Sequence, residues 1–344
     1  MTPAANGVAE RDLPVRLHPL GTAADARASR TAPPAHLPPG HVEARTGCPA
    51  YRAAPFLEVA DPLPVGRDPG LFGPDSVSWR VHADPLMAVG GLRALLLQSL
   101  HPVVAHGFGA HSGYRQESWS RLLRTADYVS LTTFGSSTQV QAAAGYVRRA
   151  HAGSTFQDPD DGSQRHIDEP CLLLWVHACV VDSMLTVTRR GGLQLSDSDA
   201  DRYVAEQVRA GALLGMDPSE APTTVAALED YLQSARSGLR LTVPARDAVA
   251  MVLAPPIHPL LELMTPARLG WSSLAGVAFA TLPVWARAMF PLPLRSGGRA
   301  IPDAAVTSSL RTLRRTGHGV GSLVPVLASS PHERAARRRL GLAG

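Results

Sequence analysis

The segment Trp119-Ser-Arg-Leu-Leu-Arg-Thr-Ala-Asp-Tyr128 places its polar side chains at helical spacing. Positions i, i+3, i+4 and i+7 share one face of an α-helix, whereas the residues between them turn away. Those four positions hold Arg121, Arg124, Thr125 and Tyr128. The segment is therefore predicted to be a helix with a cationic and hydroxylic face.

A second helical pattern follows from Gln139 to Arg149 and leads into His151. Its apolar stripe, continued by the histidine, is Val140, Ala143, Ala144, Val147 and His151. A cationic face beside an inward-pointing histidine is what a flat, anionic, metal-containing cofactor needs. Two plainer interpretations stay open at this point. A lone histidine on an apolar face is commonly a core residue, and the arginine face equally fits a solvated surface.

The composition favours helices packed on helices. Of 344 residues, 45% are hydrophobic and only 5% aromatic, with 18% charged. A strongly apolar helix is predicted over Leu86–Leu100, and another after Pro170 contains Trp175 and His177. No convincing alternating strand pattern appears, so the predicted fold class is all-α.

Three regions differ in composition. Residues 1–45 are rich in Ala, Pro, Arg and Gly and hold few large apolar side chains, so they are predicted to be a disordered arm. Residues 46–78 hold isolated apolar anchors and are predicted to be an extended strap. Residues 79–340 carry the helical patterns and form the predicted domain.

Several classes of function are excluded by what the sequence lacks. All 33 basic residues are arginine, so chemistry that needs a lysine amine or a phosphate-loop lysine is excluded. Covalent c-type haem is excluded because no Cys-x-x-Cys-His occurs. The net charge of +4 comes without basic clusters interleaved with aromatics, so no nucleic-acid partner is expected.

The cellular location of the protein is predicted in part from its cysteines. Cys48, Cys171 and Cys179 form an odd set, so no structural disulfide and a reducing, cytoplasmic compartment are expected. The run Arg334–Arg339 fits either a solvated helix end or a peripheral contact with an anionic membrane.

A non-haem metal site is a weaker alternative. His101, His106 and His111 are five residues apart, which does not place them on one helical face. A site would form only if the chain between them curled round a metal ion. His101 is expected to bond a free carbonyl at the end of the preceding helix instead.

An ordered set of motifs resembles a known family. In chain order the set is Trp79-Arg-Val, Asp84-Pro85, Gly90-Gly91-Leu-Arg-Ala-Leu-Leu-Leu-Gln-Ser-Leu-His101-Pro102, Arg121-Leu-Leu-Arg124-Thr125, Tyr128, His151, Glu169-Pro170-Cys-Leu-Leu-Leu-Trp175-Val-His177-Ala, Tyr203-Val-Ala-Glu206, Leu214-Gly215-Met, Leu282-Pro283 and Arg334-Ala-Ala-Arg. It is similar to the bacterial family that shares a catalytic domain with rubber oxygenase (latex clearing protein) and the fungal oxygenase MpaB. The likeness covers roughly residues 75 to 340.

The resemblance implies a globin-like helical domain with non-covalent haem b. His151 matches the proximal iron ligand, and Arg121 and Thr125 match polar residues beside the cofactor. Arg124 stands where rubber oxygenases carry a lysine that can occupy the distal iron position. Because a guanidinium is a poor iron ligand, an open or water-bound sixth position is expected. The family's distal glutamate has no counterpart, which argues against rubber as the substrate.

The predicted function is therefore a haem-b-dependent oxygenase or oxidase. Its substrates would be O2 and a hydrophobic, isoprenoid-like small molecule, with a separate electron donor left open. Arg124 and Thr125 are predicted to be catalytic, His151 to bind iron, and five residues to complete the cofactor site: Arg121, Arg124, Thr125, Tyr128 and His177. The alternative is a non-catalytic helical protein that binds haem or lipid at a membrane surface.

Overall fold

A computed structural model describes residues 68–109, 114–253, 267–290, 302–320 and 330–342. All of these belong to one compact unit, Cys48–Gly344. The predicted arm, residues 1–45, lies outside the described residues, and so does the predicted strap up to residue 67. The boundaries of these regions stay predictions.

The described residues form thirteen α-helices and one small hairpin, which confirms the all-α prediction. The elements are α1 Val77–His82, α2 Met87–Gln98, α3 Pro102–Gly109, α4 Tyr114–Phe134, α5 Ser137–His151, β1 Thr155–Gln157, β2 Gln164–His166, α6 Pro170–Arg190, α7 Asp197–Ala212, α8 Val225–Ala235, α9 Val243–Leu253, α10 Ala267–Ala280, α11 Val284–Ala288, α12 Asp303–Val320 and α13 Pro331–Leu340.

Helix α6 is the centre of the fold. Pro170 occupies its first turn, where the missing N–H leaves no bond unmade, and the helix then buries side chains on most of its circumference. Helix α2 packs closely against it, since a Cβ atom at Gly90 would lie 2.5 Å from Met184 Sδ. The amide of Gln98 donates to the carbonyl of Val176 at 3.1 Å, which aligns the two helices.

A buried ion pair ties α2 to α6. Arg93 is 2% exposed, and its Nη1 donates to Asp182 Oδ2 at 2.6 Å and to Ser183 Oγ at 2.7 Å. Its Nε donates to the carbonyl of Thr281, which follows α10. Every described polar contact of this guanidinium is thus made inside the protein, as a buried charge requires.

Helices α4 and α5 form an antiparallel hairpin. The turn between them is tight and requires glycine at position 135, because a Cβ atom there would lie 2.5 Å from the carbonyl oxygen of Leu131. Ser136 and Gln139 exchange side-chain and backbone hydrogen bonds in a capping box at the start of α5. Both helices appear where the sequence predicts them, and α4 begins earlier, at Tyr114.

Two elements of the structure are not among those that the sequence predicts. Helix α3 begins at Pro102, just after the predicted apolar helix Leu86–Leu100. The β1–β2 hairpin follows His151 in a polar segment. Arg165 holds that hairpin to α6, because its guanidinium pairs with Asp158 at 2.8 Å and with Glu169 at 2.6 Å.

The last described helix, α13, packs on the outer side of α4. Ala336 is buried beside Phe134, and the guanidinium of Arg339 donates to the carbonyl of Phe134 at 2.9 Å. His332 Nε2 lies 2.7 Å from Asp127 Oδ1. These contacts hold the face of α4 that points away from Tyr128.

The cysteines differ from the expectation. Cys171 is disulfide-bonded, so the prediction of no structural disulfide is wrong. Cys179 is a free, buried thiol, and burial raises its pKa. Because structural disulfides are typical of oxidising compartments, the cysteines no longer support a reducing one.

Helix α6 is also the one described single helix that is long and apolar enough to cross a membrane. Within its most apolar window, 67% of the residues are buried inside the protein. Core helices of globular domains pass the same test, so the length and hydropathy of α6 are weak support for a membrane span.

Candidate functional site

The predicted polar face of α4 is divided in the structure. Arg124 and Tyr128 are half-buried, and Leu131, one turn further along the same side, is buried. Thr125 is exposed, while the side chain of Arg121 lies outside the described part of the structure. Leu123 is 52% exposed and turns away from this side, as predicted.

Tyr128 presents a polar atom to the interior. Its hydroxyl is buried and has no hydrogen-bond partner within the described residues. Burial raises the pKa of the phenol to about 12, although the charge of Arg148 opposes the rise. The neighbouring hydroxyl of Thr132 donates to the carbonyl of Tyr128 at 2.8 Å. Tyr128 is therefore a protonated phenol, ready to donate at neutral pH.

Arg148 and His177 lie around the carboxyl end of α7. Arg148, on α5, donates from Nη1 to the carbonyl of Leu213 at 2.9 Å. A Cβ atom at Gly211 would lie 3.0 Å from His177 Nδ1 and 2.5 Å from Met216 Cε. Since Gly211 and Leu213 are within one helical turn, the structure brings Tyr128, Arg148 and His177 into one neighbourhood.

His177 lies on α6 beside Gly211 of α7. Burial lowers its pKa to about 4, so the imidazole is neutral, although the side chain is partly accessible. Val176 and Val180, on the same side of α6, are also partly accessible although this helix crosses the core. A neutral imidazole among apolar side chains suits an apolar ligand better than a charged one.

His151 is the last residue of α5. Val140, Ala143 and Ala144 are buried, which confirms that the predicted stripe faces inward. His151 is half-buried and its Nδ1 atom is buried. Arg148 and Arg149 share its helical turn, so this end of the α4–α5 hairpin is strongly cationic.

A second polar network, which the sequence did not reveal, supports α4 from the opposite side. His82 Nδ1 lies 2.6 Å from Thr133 Oγ1, and His82 Nε2 lies 3.0 Å from the hydroxyl of Tyr203. All three side chains are buried, and burial lowers the pKa of His82 to about 4. The three residues lie on α1, α4 and α7, far apart in the chain, so no local pattern could have joined them.

The predicted non-haem cluster is not assembled by the described histidines. His101 Nδ1 accepts a long hydrogen bond of 3.4 Å from the backbone N–H of Val104, so it caps the start of α3. His106 packs on Phe156, with ring centroids 6.4 Å apart. His111 lies outside the described residues, and within them no three His, Cys, Asp or Glu side chains could hold a metal ion.

Comparison with known families identifies the domain. A family model described as "ER-bound oxygenase mpaB/B'/Rubber oxygenase, catalytic domain" matches residues 79–317. The chain belongs to this family. Neither the curated proteins nor the solved structures contain a match to the chain. The matched region begins in α1 and ends in α12, so it includes the α4–α5 hairpin, whereas α13 follows it.

The residues of the α4–α5 hairpin are compatible with a bound haem. Haem takes an imidazole nitrogen for its iron and hydrogen-bond donors for its two carboxylates. His151, the guanidinium of Arg124 and the phenol of Tyr128 supply those two kinds of group, and the partnerless Tyr128 hydroxyl is the observation that favours a ligand. The cationic end of α5 also suits an anionic cofactor.

Proposed function

We propose that the protein is a haem-b-dependent oxygenase that acts on a hydrophobic small molecule. Membership of the oxygenase family supports the reaction class. The observation that carries the cofactor assignment is the buried Tyr128 hydroxyl, on the helical hairpin that ends at His151; among the described residues it has no hydrogen-bond partner. A buried phenol without an acceptor costs stability, and a bound carboxylate would remove that cost.

Each residue has a proposed role. His151 holds the iron, and the guanidinium groups of Arg121 and Arg124 bind the carboxylates, which suits the bidentate geometry of arginine. Thr125 donates a hydrogen bond close to the reacting molecules. When bound, haem supplies the binding and activation of O2. The guanidinium of Arg124 would orient anionic groups at the site.

His177 and its neighbours are proposed to receive the hydrophobic substrate. Burial lowers the pKa of His177 and keeps its imidazole neutral at physiological pH, so it contributes no charge to the site. Val176 and Val180 flank it with apolar surface that is partly accessible. The substrate class is thus a molecule with little charge, whose burial expels water from the site.

Absorption spectra test the cofactor. The purified protein should show a Soret band, and a pyridine haemochrome assay should give b-type haem at near one per chain. His151→Ala should abolish these signals and leave the far-ultraviolet circular dichroism unchanged. The matched control is His166→Ala, which changes another half-buried histidine. His166 lies in β2, outside the α4–α5 hairpin, so this variant should retain haem. Full haem content in His151→Ala would overturn the assignment of the iron ligand.

Tyr128→Phe tests the carboxylate contact separately. Removing a hydroxyl that bonds a haem carboxylate should weaken haem retention by about tenfold, because a hydrogen bond to a charged group contributes roughly 1.5–3 kcal/mol. If Tyr128→Phe binds haem as the parent does, the hydroxyl does not contact the cofactor. The ratio of haem to protein during competition with apomyoglobin measures the difference without any turnover.

Oxygen uptake separates an enzyme from a binding protein. Steady O2 consumption with a hydrophobic substrate, with or without a reductant, is expected and would show whether an electron donor is needed. A haem-loaded protein that consumes no O2 with any such substrate would favour the non-catalytic alternative.

The compartment needs its own test. The expected absence of a structural disulfide was one support for the predicted cytoplasmic location, and the disulfide at Cys171 removes it. Counting free thiols in protein purified under alkylating conditions distinguishes a reducing compartment from an oxidising one.

A further inference from the structure

A surface groove that includes none of the proposed haem residues has an unusual combination of side chains. It has a volume of about 370 Å³ and lies between the segment before and into α9 and the short helix α11. The groove is lined by Leu239, Arg240, Leu241, Arg246, Ala288 and Met289. Its lining is thus apolar with two guanidinium groups.

Two highly exposed valines flank this groove. Val243, between Leu241 and Arg246, is 69% exposed, and Val284 is 74% exposed. They are the most exposed of the large hydrophobic side chains in the described residues. Val284 lies one helical turn before Ala288 on α11, so it projects on the groove side. We refer to residues 236–246 and 284–289 together as the Val243–Val284 surface.

The two segments of this surface are basic. They contain no carboxylate, although Asp247 directly follows the first, and they contain four arginines: Arg236, Arg240, Arg246 and Arg287. The guanidinium of Arg236 lies over the ring of Trp285, 5.2 Å from its centroid, and Arg240 pairs with Asp160 of the β1–β2 loop. Arg246 is exposed beside the groove. Exposed apolar tips among arginines and a tryptophan match the interface of a membrane, where headgroup phosphates lie above acyl chains.

The other arginine-rich segment is less suited to this contact. In the run Arg334–Arg339, Arg337 pairs with Glu333 at 3.0 Å, and Arg339 donates to the carbonyl of Phe134 at 2.9 Å. Those guanidinium groups bind α13 within the domain. The peripheral contact that the sequence predicted for this run is better supported at the Val243–Val284 surface.

We propose that the Val243–Val284 surface docks on membranes that contain anionic phospholipid. Val243 and Val284 enter the boundary between headgroups and acyl chains, and the arginines bind phosphates. The guanidinium groups of Arg236 and Arg287 also donate within the domain, to Gln233 Oε1 at 2.9 Å and to the carbonyl of Ala280 at 3.3 Å. Charge complementarity selects this partner, since the basic surface includes the exposed Arg246, and an anionic bilayer offers phosphates beside an apolar layer. The docking requires neither haem nor turnover.

Flotation of the full chain with vesicles tests the docking. Vesicles of phosphatidylcholine alone are compared with vesicles of equal parts phosphatidylcholine and phosphatidylglycerol. The protein should float only with the anionic vesicles, and high salt should release it because surface charge is screened. Equal flotation with both vesicle types, or with neither, would overturn the proposal.

Paired variants locate the contact. Val243→Gln/Val284→Gln should lower the vesicle partition coefficient by about tenfold or more, since the inserted apolar area is lost. Leu342→Gln, at an exposed leucine after α13, should leave it unchanged. Arg246→Gln should lower the partition coefficient about fivefold, which corresponds to about 1 kcal/mol per charge near an anionic surface. Arg338→Gln on α13 should leave the partition coefficient unchanged.

Folding and self-association of the variants are measured alongside flotation. If circular dichroism shows that the valine variant does not fold, flotation of Arg246→Gln tests the proposal instead. Arg246 is exposed, so its replacement should not affect folding. If the valine variant loses a concentration-dependent dimer in sedimentation and vesicle flotation is unchanged, the surface binds a second copy of the chain and the membrane proposal is wrong.

Discussion

Acidification should destabilise the protein through buried histidines, and His82 shows why. Thr133 Oγ1 donates to the carbonyl of Val129 at 3.0 Å, so it accepts a hydrogen bond from the N–H at His82 Nδ1. Nε2 of His82 is then the acceptor for the hydroxyl of Tyr203. Protonation would place two N–H groups and a charge in this buried space, which explains why the pKa of His82 falls to about 4.

The direction and size of the effect follow from linkage. An unfolded histidine has a pKa near 6.5, so between about pH 4 and 6.5 the unfolded chain binds more protons than the folded one. Stability from His82 is complete above its unfolded pKa and is lost as pH falls, by about 2 kcal/mol at pH 5. Burial also lowers the pKa of His101 and of His177 to about 4. Together the three histidines would remove about 6 kcal/mol at pH 5, which approaches the whole stability of many domains.

Urea unfolding at pH 7 and pH 5 measures this loss. His82→Gln removes one titrating group, so its free energy of unfolding should fall between these pH values by about 2 kcal/mol less than that of the parent. The comparison uses the change with pH, and a lower stability of the variant at pH 7 does not affect it. An equal loss in parent and variant would refute the assignment of a buried neutral imidazole at His82.

Two further predictions concern packing. Gly211→Ala should destabilise the domain by about 1–3 kcal/mol and disturb His177, since the added Cβ overlaps the side chain of Met216. Gly276→Ala is the control, because a Cβ atom there meets nothing. It should stabilise the domain by about 0.5–1 kcal/mol. Chemical denaturation compares the two, and equal effects would contradict the packing. Arg93→Met should cost about 3–5 kcal/mol because the Asp182 carboxylate, whose side chain is 17% exposed, loses its ion-pair partner. Adding Asp182→Leu should recover part of that loss in the same assay, and no recovery would mean that the pair is not the cause.

Local periodicity predicted the helical hairpin well. The stripe from Val140 to Ala144 is buried as the 3.6-residue period requires, and the capping residue Ser136 stands just before α5. The same reasoning failed at Pro102, because a proline that ends one helix can also occupy the first turn of the next. The glycines and histidines that follow Pro102 suggested a loop, so helix α3 was not predicted.

The candidate site was only partly predictable. Helical spacing placed Arg124 and Tyr128 on one side correctly, but Thr125, on the edge of the same arc, is exposed. The positions of Arg148 and Gly211 relative to Tyr128 depend on how α7 packs against α5, which no local pattern specifies. The same holds for His82, whose partner Tyr203 is 121 residues away.

The position of α13 bears on where this protein can be cut. The family match ends at residue 317, yet His332, Arg339 and Ala336 contact the helix that carries Arg124 and Tyr128. A fragment that ends with the match would expose Phe134 and leave Asp127 without its histidine. A fragment expressed with the limits of the family match would therefore destabilise α4, the helix proposed to bind the cofactor. The absence of haem colour in such a fragment would say nothing about the full-length protein.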